Sequence, residues 1–114
     1  MHRVLRKLLT APSPITPFCA MEAHSGLSAR IAANVGHSVL WGSGLTISAS
    51  RGVRDAGELT HCQILNAAIE IVEAAPNVPL LLDGDEGGPS FNTARRFCNL
   101  LQRAGVAGVV FEDK

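Results

Sequence analysis

The chain reads as an α/β protein built on parallel strands, and three observations carry that reading. Short apolar runs and amphipathic helical stretches alternate strictly along the 114 residues, the pattern of right-handed βα units on one sheet. The sharpest of the apolar runs, Leu80-Leu81-Leu82, is the kind of segment that forms a buried parallel strand. It ends abruptly in Asp83-Gly84-Asp85, which delivers charge to the C-terminal end of a strand, where α/β folds place their chemistry. Two architectures accept the alternation, an open doubly wound sheet and a (β/α)8 barrel, and a barrel needs about 250 residues to close. Four βα units are then about half of a TIM-type barrel. No GxGxxG follows the first strand and no GxxxxGK[ST] occurs, so neither nucleotide-binding fingerprint supports the open sheet.

Each element follows from its local pattern. Residues 1–9 are basic and amphipathic, with an apolar part too short and interrupted for a secretory signal, and read as a short helix ending before Pro12. Prolines at 12, 14 and 17 remove backbone donors and restrict their predecessors, so the stretch up to residue 17 is a linker. Residues 1–17 therefore form a leading segment, and 18–114 the partial α/β barrel. Phe18-Cys19-Ala20-Met21 is the first predicted strand, breaking into a polar turn from Glu22. Ser25 N-caps a helix whose stripe is Leu27, Ile31 and Val35, and Gly36 closes it in a left-handed conformation.

Ser38-Val39-Leu40-Trp41-Gly42 is the second strand, followed by a loop of small residues over 43–50 that a ligand could approach closely. Asp55 and Glu58 have capping-box spacing, and Cys62, Leu65, Ile69 and Val72 mark one face of a long helix that Pro76 ends. Residues 78–83 form the third strand, entered through Pro79. Asn92 is the predicted cap of a third helix with Ala94, Phe97, Leu101 and Ala104 on its apolar face and Gly105 at its end. Gly108-Val109-Val110-Phe111 is the fourth strand, and it too runs into acid at Glu112-Asp113.

Composition limits the function classes. With 46% hydrophobic and 18% charged residues the chain has the make-up of a soluble globular protein with a core. A formal net charge of zero argues against nucleic acid or an anionic membrane surface as partner. No apolar run approaches the roughly 20 residues that span a bilayer. Cys19, Cys62 and Cys98 are odd in number and far apart within apolar segments, and are expected to be reduced core residues of a cytoplasmic protein.

The acids supply the candidate chemistry. Asp83 and Asp85 are two apart, so they leave the strand end in similar directions. Such a pair suits Mg²⁺, which takes one or two carboxylates and fills its octahedron with waters and substrate oxygens. The same residues would also make a solvated turn, since Asp-Gly is common turn chemistry. Asp55 also reads as a helix cap, Trp41 as core, and Glu112 as a surface acid. A single histidine beside a turn, such as His24, is more often a hydrogen-bonded structural residue than a base, and His61 is expected to face solvent.

Five motifs, taken together, carry a resemblance. Met21-Glu22-Ala23-His24-Ser25-Gly26-Leu27-Ser28-Ala29, Trp41-Gly42-Ser43-Gly44-Leu45, Gly52-Val53-Arg54-Asp55, Leu82-Asp83-Gly84-Asp85, and Gly105-Val106-Ala107-Gly108 through Glu112-Asp113-Lys114 stand in matching order and spacing. The sequence resembles the phosphoenolpyruvate mutase branch of the isocitrate lyase superfamily. That resemblance implies an α/β barrel that binds Mg²⁺ and a small 2-oxo acid or phosphonate. The reaction implied is the interconversion of phosphoenolpyruvate and phosphonopyruvate, which makes the C–P bond of phosphonate biosynthesis. Carried over motif by motif, Asp83 faces the metal directly, while Asp85, Glu112 and the candidate catalytic Asp55 hold its waters. Trp41, Ser43, Gly44 and Leu45 line the substrate pocket, and the Gly44 and Leu45 amides meet the carboxylate. Full-length members assemble as homo-oligomers, partly through C-terminal helices.

Two departures stand out. After the acidic pair the family typically continues Thr-Gly-Tyr-Gly-Asn, whereas this chain has Glu86-Gly87-Gly88-Pro89-Ser90. The family's gating loop and its later pocket groups follow the Glu-Asp-Lys, where this sequence stops. Alternatives on the same scaffold are phosphonopyruvate hydrolysis and the C–C cleavage of a 2-methylisocitrate-type substrate, and a truncated, non-catalytic product is the third. The mutase is the reading that the Glu-Ala-His-Ser-Gly-Leu and Gly-Val-Arg-Asp stretches favour.

Overall fold

The computed structural model describes residues 1–11 and 18–113, so the predicted linker over 12–17 and Lys114 lie outside the described residues. The elements run α1 (His2–Thr10), β1 (Ala20–Ala23), α2 (Gly26–Val35), β2 (Val39–Gly42), α3 (Gly44–Ala49), α4 (His61–Ala74), β3 (Leu80–Asp83), α5 (Phe91–Arg103) and β4 (Gly108–Val110). All strand pairs are parallel, and the sheet order is β1-β2-β3-β4. This order decides between the two architectures. A doubly wound sheet reverses its strand order at a switch point and carries helices on both faces. Strictly sequential parallel strands joined by right-handed crossovers keep their helices on one face, as in a barrel wall.

Register assigns the two faces. Leu40 and Leu80 share a row, and two residues on so do Ala23, Gly42, Leu82 and Val109. These rows face the helices: Ala23, Leu40, Leu80 and Leu82 are buried with Ala29 and Ala32 of α2, Ala67, Ala68 and Ile71 of α4, and Phe97 and Leu101 of α5. The intervening row is Glu22, Trp41, Leu81 and Gly108, with Asp83 and Val110 two residues further on. It forms the opposite face, the inner wall of a barrel. Near the N-terminal ends of β3 and β4 this wall is covered by α1, whose buried Leu5 sits 3.0 Å from where a Cβ on Gly108 would stand.

Several elements differ from expectation, each for a local reason. β1 begins two residues later than predicted and keeps Glu22 in the strand, because the acid points to the inner wall and finds a partner there. The stretch after β2 is a short helix, α3, rather than a loop. Helix α4 is N-capped by Thr60, whose side chain makes a reciprocal capping box with Gln63, so Asp55 is not its cap. Ser90, boxed with Thr93, displaces Asn92 as the cap of α5. On α4 the buried face is Ile64, Ala67, Ala68 and Ile71, with Leu65 and Val72 at its margin and Cys62 exposed. The cysteines are free but do not form core: Cys19 and Cys62 are exposed and Cys98 is half-buried.

Helix α2 shows the largest reversal. Its predicted stripe is the exposed one, with Leu27 at 72%, Ile31 at 56% and Val35 at 73% exposure. The side that packs is Ala29 and Ala32, because α2 lies close against α4: a Cβ on Gly26 would meet the Glu70 carbonyl oxygen at 3.3 Å and the Ala74 Cβ at 3.4 Å. Small residues permit that approach, and the large ones are turned outward. The Ser25 cap and Gly36, at φ 101°, are as predicted.

Candidate metal and substrate site

The C-terminal edge of the sheet gathers the polar groups. Asp83 closes β3 on the inner wall, half-buried, with both carboxylate oxygens engaged by backbone donors. The Gly44 N–H donates to its Oδ2 and the Asp85 N–H to its Oδ1, each at 3.2 Å. Two fixed donors from two different segments aim this carboxylate, as a ligand must be aimed before it can hold an ion.

Gly44 opens α3, directly after β2. A Cβ there would lie 3.0 Å from Asp83 Oδ2 and 3.3 Å from Asp55 Oδ1. Asp55 and Asp83 are far apart in sequence, yet they converge on the same glycine. The glycine is required by closeness rather than by backbone angle. Ser43 occupies the N-cap position of α3 without a side-chain capping bond, and its carbonyl accepts from the Ile47 N–H at 3.0 Å. Leu45 is exposed, and Trp41 is half-buried on the inner wall between Glu22 and Leu81.

Asp85 follows in a tight turn. Its φ of 47° makes it the one non-glycine at positive φ among the described residues. Three backbone bonds hold the turn: Gly84 N–H to Val110 O at 2.8 Å, Gly87 N–H to Gly84 O at 2.9 Å, and Glu112 N–H to Asp85 O at 2.8 Å. The last of these extends the β3–β4 pairing past the strands, so Asp85 and Glu112 are neighbours through their backbones. Among the described residues no three carboxylate, imidazole or thiol groups cluster closely enough to enclose an ion by themselves. The donor set fits Mg²⁺ in a different way. It is all oxygen, with the aimed Asp83 carboxylate and Asp55 on the other side of Gly44, which suits an ion that keeps several of its waters.

Sequence reasoning passed over two groups. Glu22 is the penultimate residue of β1, and its Oε1 accepts from the Thr46 hydroxyl at 2.6 Å and lies 3.0 Å from His24 Nδ1. It ties β1 to the first turn of α3. An acid in a strand's last turn of sequence was the available signal, used at Asp83 and not at Glu22. His24 is hydrogen-bonded, as expected. His61 does not face solvent: its ring stacks on Phe97 with centroids 4.1 Å apart and planes 3° from parallel.

Residues 5–114 match the family described as phosphoenolpyruvate phosphomutase. The chain belongs to that family. A phosphoenolpyruvate phosphomutase from Streptomyces hygroscopicus is 49% identical over 110 residues, covering 96% of this chain and 34% of that protein. A 2-methylisocitrate lyase from Bacillus subtilis is 39% identical over 110 residues, covering 96% and 35%. Among solved structures, phosphonopyruvate hydrolase in complex with oxalate and Mg²⁺ superposes with a TM-score of 0.90 at 32% identity, covering 99% of this chain and 38% of that one. The chain thus spans about a third of the length of the curated relatives it matches. As a phosphoenolpyruvate phosphomutase family member it carries, among the described residues, four parallel strands of a TIM-type barrel with the helices between them, and the relatives include mutase, hydrolase and lyase. No helix among the described residues is long and apolar enough to cross a membrane.

Proposed function

We propose that this chain carries the Mg²⁺-binding side of a mutase that interconverts phosphoenolpyruvate and phosphonopyruvate. The observation that carries the reading is the convergence of Asp83 and Asp55 on Gly44, the residue that opens α3. On this reading the proposed ligand and the first turn of α3, which would meet the substrate carboxylate, stand side by side at one strand edge. Asp83 would be the direct ligand, with Asp85, Glu112 and Asp55 holding metal-bound waters. The ion, when bound, supplies positive charge that polarises the 2-oxo acid and offsets the charge of the anionic substrate.

The chain's own groups do the rest. Leu45 stands in the first turn of α3, where its backbone amide would approach the substrate carboxylate; the Gly44 N–H, expected to do the same, is instead taken by Asp83. Trp41, half-buried on the inner wall, would flank the phosphoryl group as it leaves the enol oxygen and the C–P bond forms. Glu22 and Thr46 hold α3 in place, so donors are fixed before the substrate arrives. The kinship to phosphonopyruvate hydrolase gives a second reading, in which water takes the phosphoryl group and leaves pyruvate and phosphate.

Phosphorus NMR of phosphonopyruvate incubated with Mg²⁺ and the chain, completed by the C-terminal βα units of a related mutase, separates the two. Phosphoenolpyruvate as the first product supports the mutase. Orthophosphate without a phosphoenolpyruvate intermediate contradicts it.

A further inference from the structure

The turn that presents Asp85 has a contact on its outer side in addition to its backbone hydrogen bonds. A left-handed non-glycine residue is held at a cost of about 1–2 kcal/mol, and it persists only where its surroundings fix it. On the strand side the turn is fixed by the bonds to Val110 and Glu112. Its far side, Gly87 at φ 76° and Gly88 at φ 100°, leaves the sheet and borders a cavity of about 260 Å³ lined in part by Leu59, His61, Ile64, Asp85 and Pro89.

What stands against that far side is His61. A Cβ on Gly88 would lie 2.8 Å from His61 Cε1 and 3.3 Å from Nε2, so the imidazole occupies the place a side chain would take. The ring cannot swing aside freely. It is stacked face to face on Phe97, which is 1% exposed and belongs to the core beneath α5. His61 is also the first residue of α4, so its backbone is set by the Thr60–Gln63 capping box. A continuous line of contact therefore runs from the core through Phe97 and His61 to Gly88 and the acidic turn. His61 as found here leaves no room for a side chain at position 88. His61 and Gly88 are a matched pair.

We propose that His61 is a positioning residue for the acidic turn: stacked on Phe97 and filling the space beside Gly88, it fixes the path of residues 84–89 that presents Asp85. This rests on the reading of Asp83 and Asp85 as the Mg²⁺ end of the site.

The test compares His61→Ala with His61→Phe in the intact protein, reading Mg²⁺ affinity by calorimetry and amide hydrogen exchange at Gly87 and Glu112. His61→Ala is expected to weaken Mg²⁺ binding about tenfold, the lower end of what the loss of an outer support costs a metal site, while His61→Phe stays within about twofold. Exchange at both amides should speed up in the alanine variant and not in the phenylalanine one. If His61→Ala does not fold, His61→Gln, which keeps much of the bulk but removes the stacked ring, is expected to show a loss of affinity in the same direction and faster exchange at both amides. A folded His61→Ala protein with unchanged Mg²⁺ affinity and unchanged exchange overturns the proposal. A wild-type protein that binds no Mg²⁺ contradicts the metal reading instead, and the exchange comparison then decides alone whether His61 sets the turn.

Discussion

The backbone N–H of Gly44 donates to the Asp83 carboxylate across 3.2 Å, joining the start of α3 to the end of β3. The same glycine has Asp55 Oδ1 at 3.3 Å from its absent Cβ. Three segments that are separate in sequence are thereby held within one contact of each other, and the size of residue 44 governs all three.

Gly44→Ala should therefore disturb the site without disturbing the fold. Its methyl would enter between two carboxylates at distances tighter than ordinary contact, and the neighbours that must give way are the aimed ligand and its companion. The expected outcome is a loss of Mg²⁺ affinity of at least about tenfold, by the same outer-support reasoning, with the thermal midpoint nearly unchanged. Calorimetric titration beside a melting curve checks it.

Oxalate, a flat mimic of the pyruvate enolate, should bind the completed barrel only in the presence of Mg²⁺. Both of its carboxylates are anionic, and the mouth of the sheet already carries Asp83, Asp55 and Glu112, so without the cation it meets net repulsion. Calorimetry with the metal chelated should show no binding. Equal affinity with and without metal would contradict the shared site.

Thr46→Val should cost stability where Thr46→Ser does not. The valine keeps the shape and leaves the half-buried Glu22 carboxylate without the donor that now stands 2.6 Å away. Losing a hydrogen bond to a charged group costs about 1.5–3 kcal/mol, and here the lower half of that range is expected because Glu22 keeps His24 and some solvent. The check is urea denaturation of the two variants, with the serine within about 0.5 kcal/mol of wild type.

The 114-residue chain alone should be catalytically silent and should self-associate. Among the described residues β1 and β4 each pair on one side only, leaving two open strand edges, and α2 turns Leu27, Ile31 and Val35 outward. Unpaired edges and a wet apolar stripe both invite pairing with other chains. Leu27→Glu with Ile31→Glu is expected to lower the mean sedimentation coefficient at a given concentration without unfolding the helix. Unchanged association in that variant would move the contact to the strand edges.

The order of elements and their parallel sense were legible because each apolar run and each cap leaves a local signature. Ser25 and Gly36 could be read directly, since a capping hydroxyl and a left-handed C-terminal glycine act within one turn. The choice of buried face could not. Leu27, Ile31 and Val35 look like a core stripe, and only the close approach of α2 to α4 at Gly26 shows that alanines take the interface. Asp55 is a similar case: its spacing to Glu58 suggested a cap, while its closeness to Gly44 depends on how the loop before α4 folds back. Asp83 was readable from its place at the end of a strand, and Glu22 carried the same signal. His61 was not readable, because nothing local to it announces Phe97, thirty-six positions on.

The most direct measurement is Mg²⁺-dependent conversion of phosphonopyruvate to phosphoenolpyruvate by the chain completed with the C-terminal half of a related mutase, in wild type and in Asp83→Ala. Wild type should turn over. Removing the aimed carboxylate should lower the rate at fixed Mg²⁺ by about a hundredfold or more, with Mg²⁺ affinity falling in parallel by calorimetry. Asp83→Ala protein that binds Mg²⁺ and turns over as wild type does would contradict the assignment of Asp83 as the ligand on which the site is built.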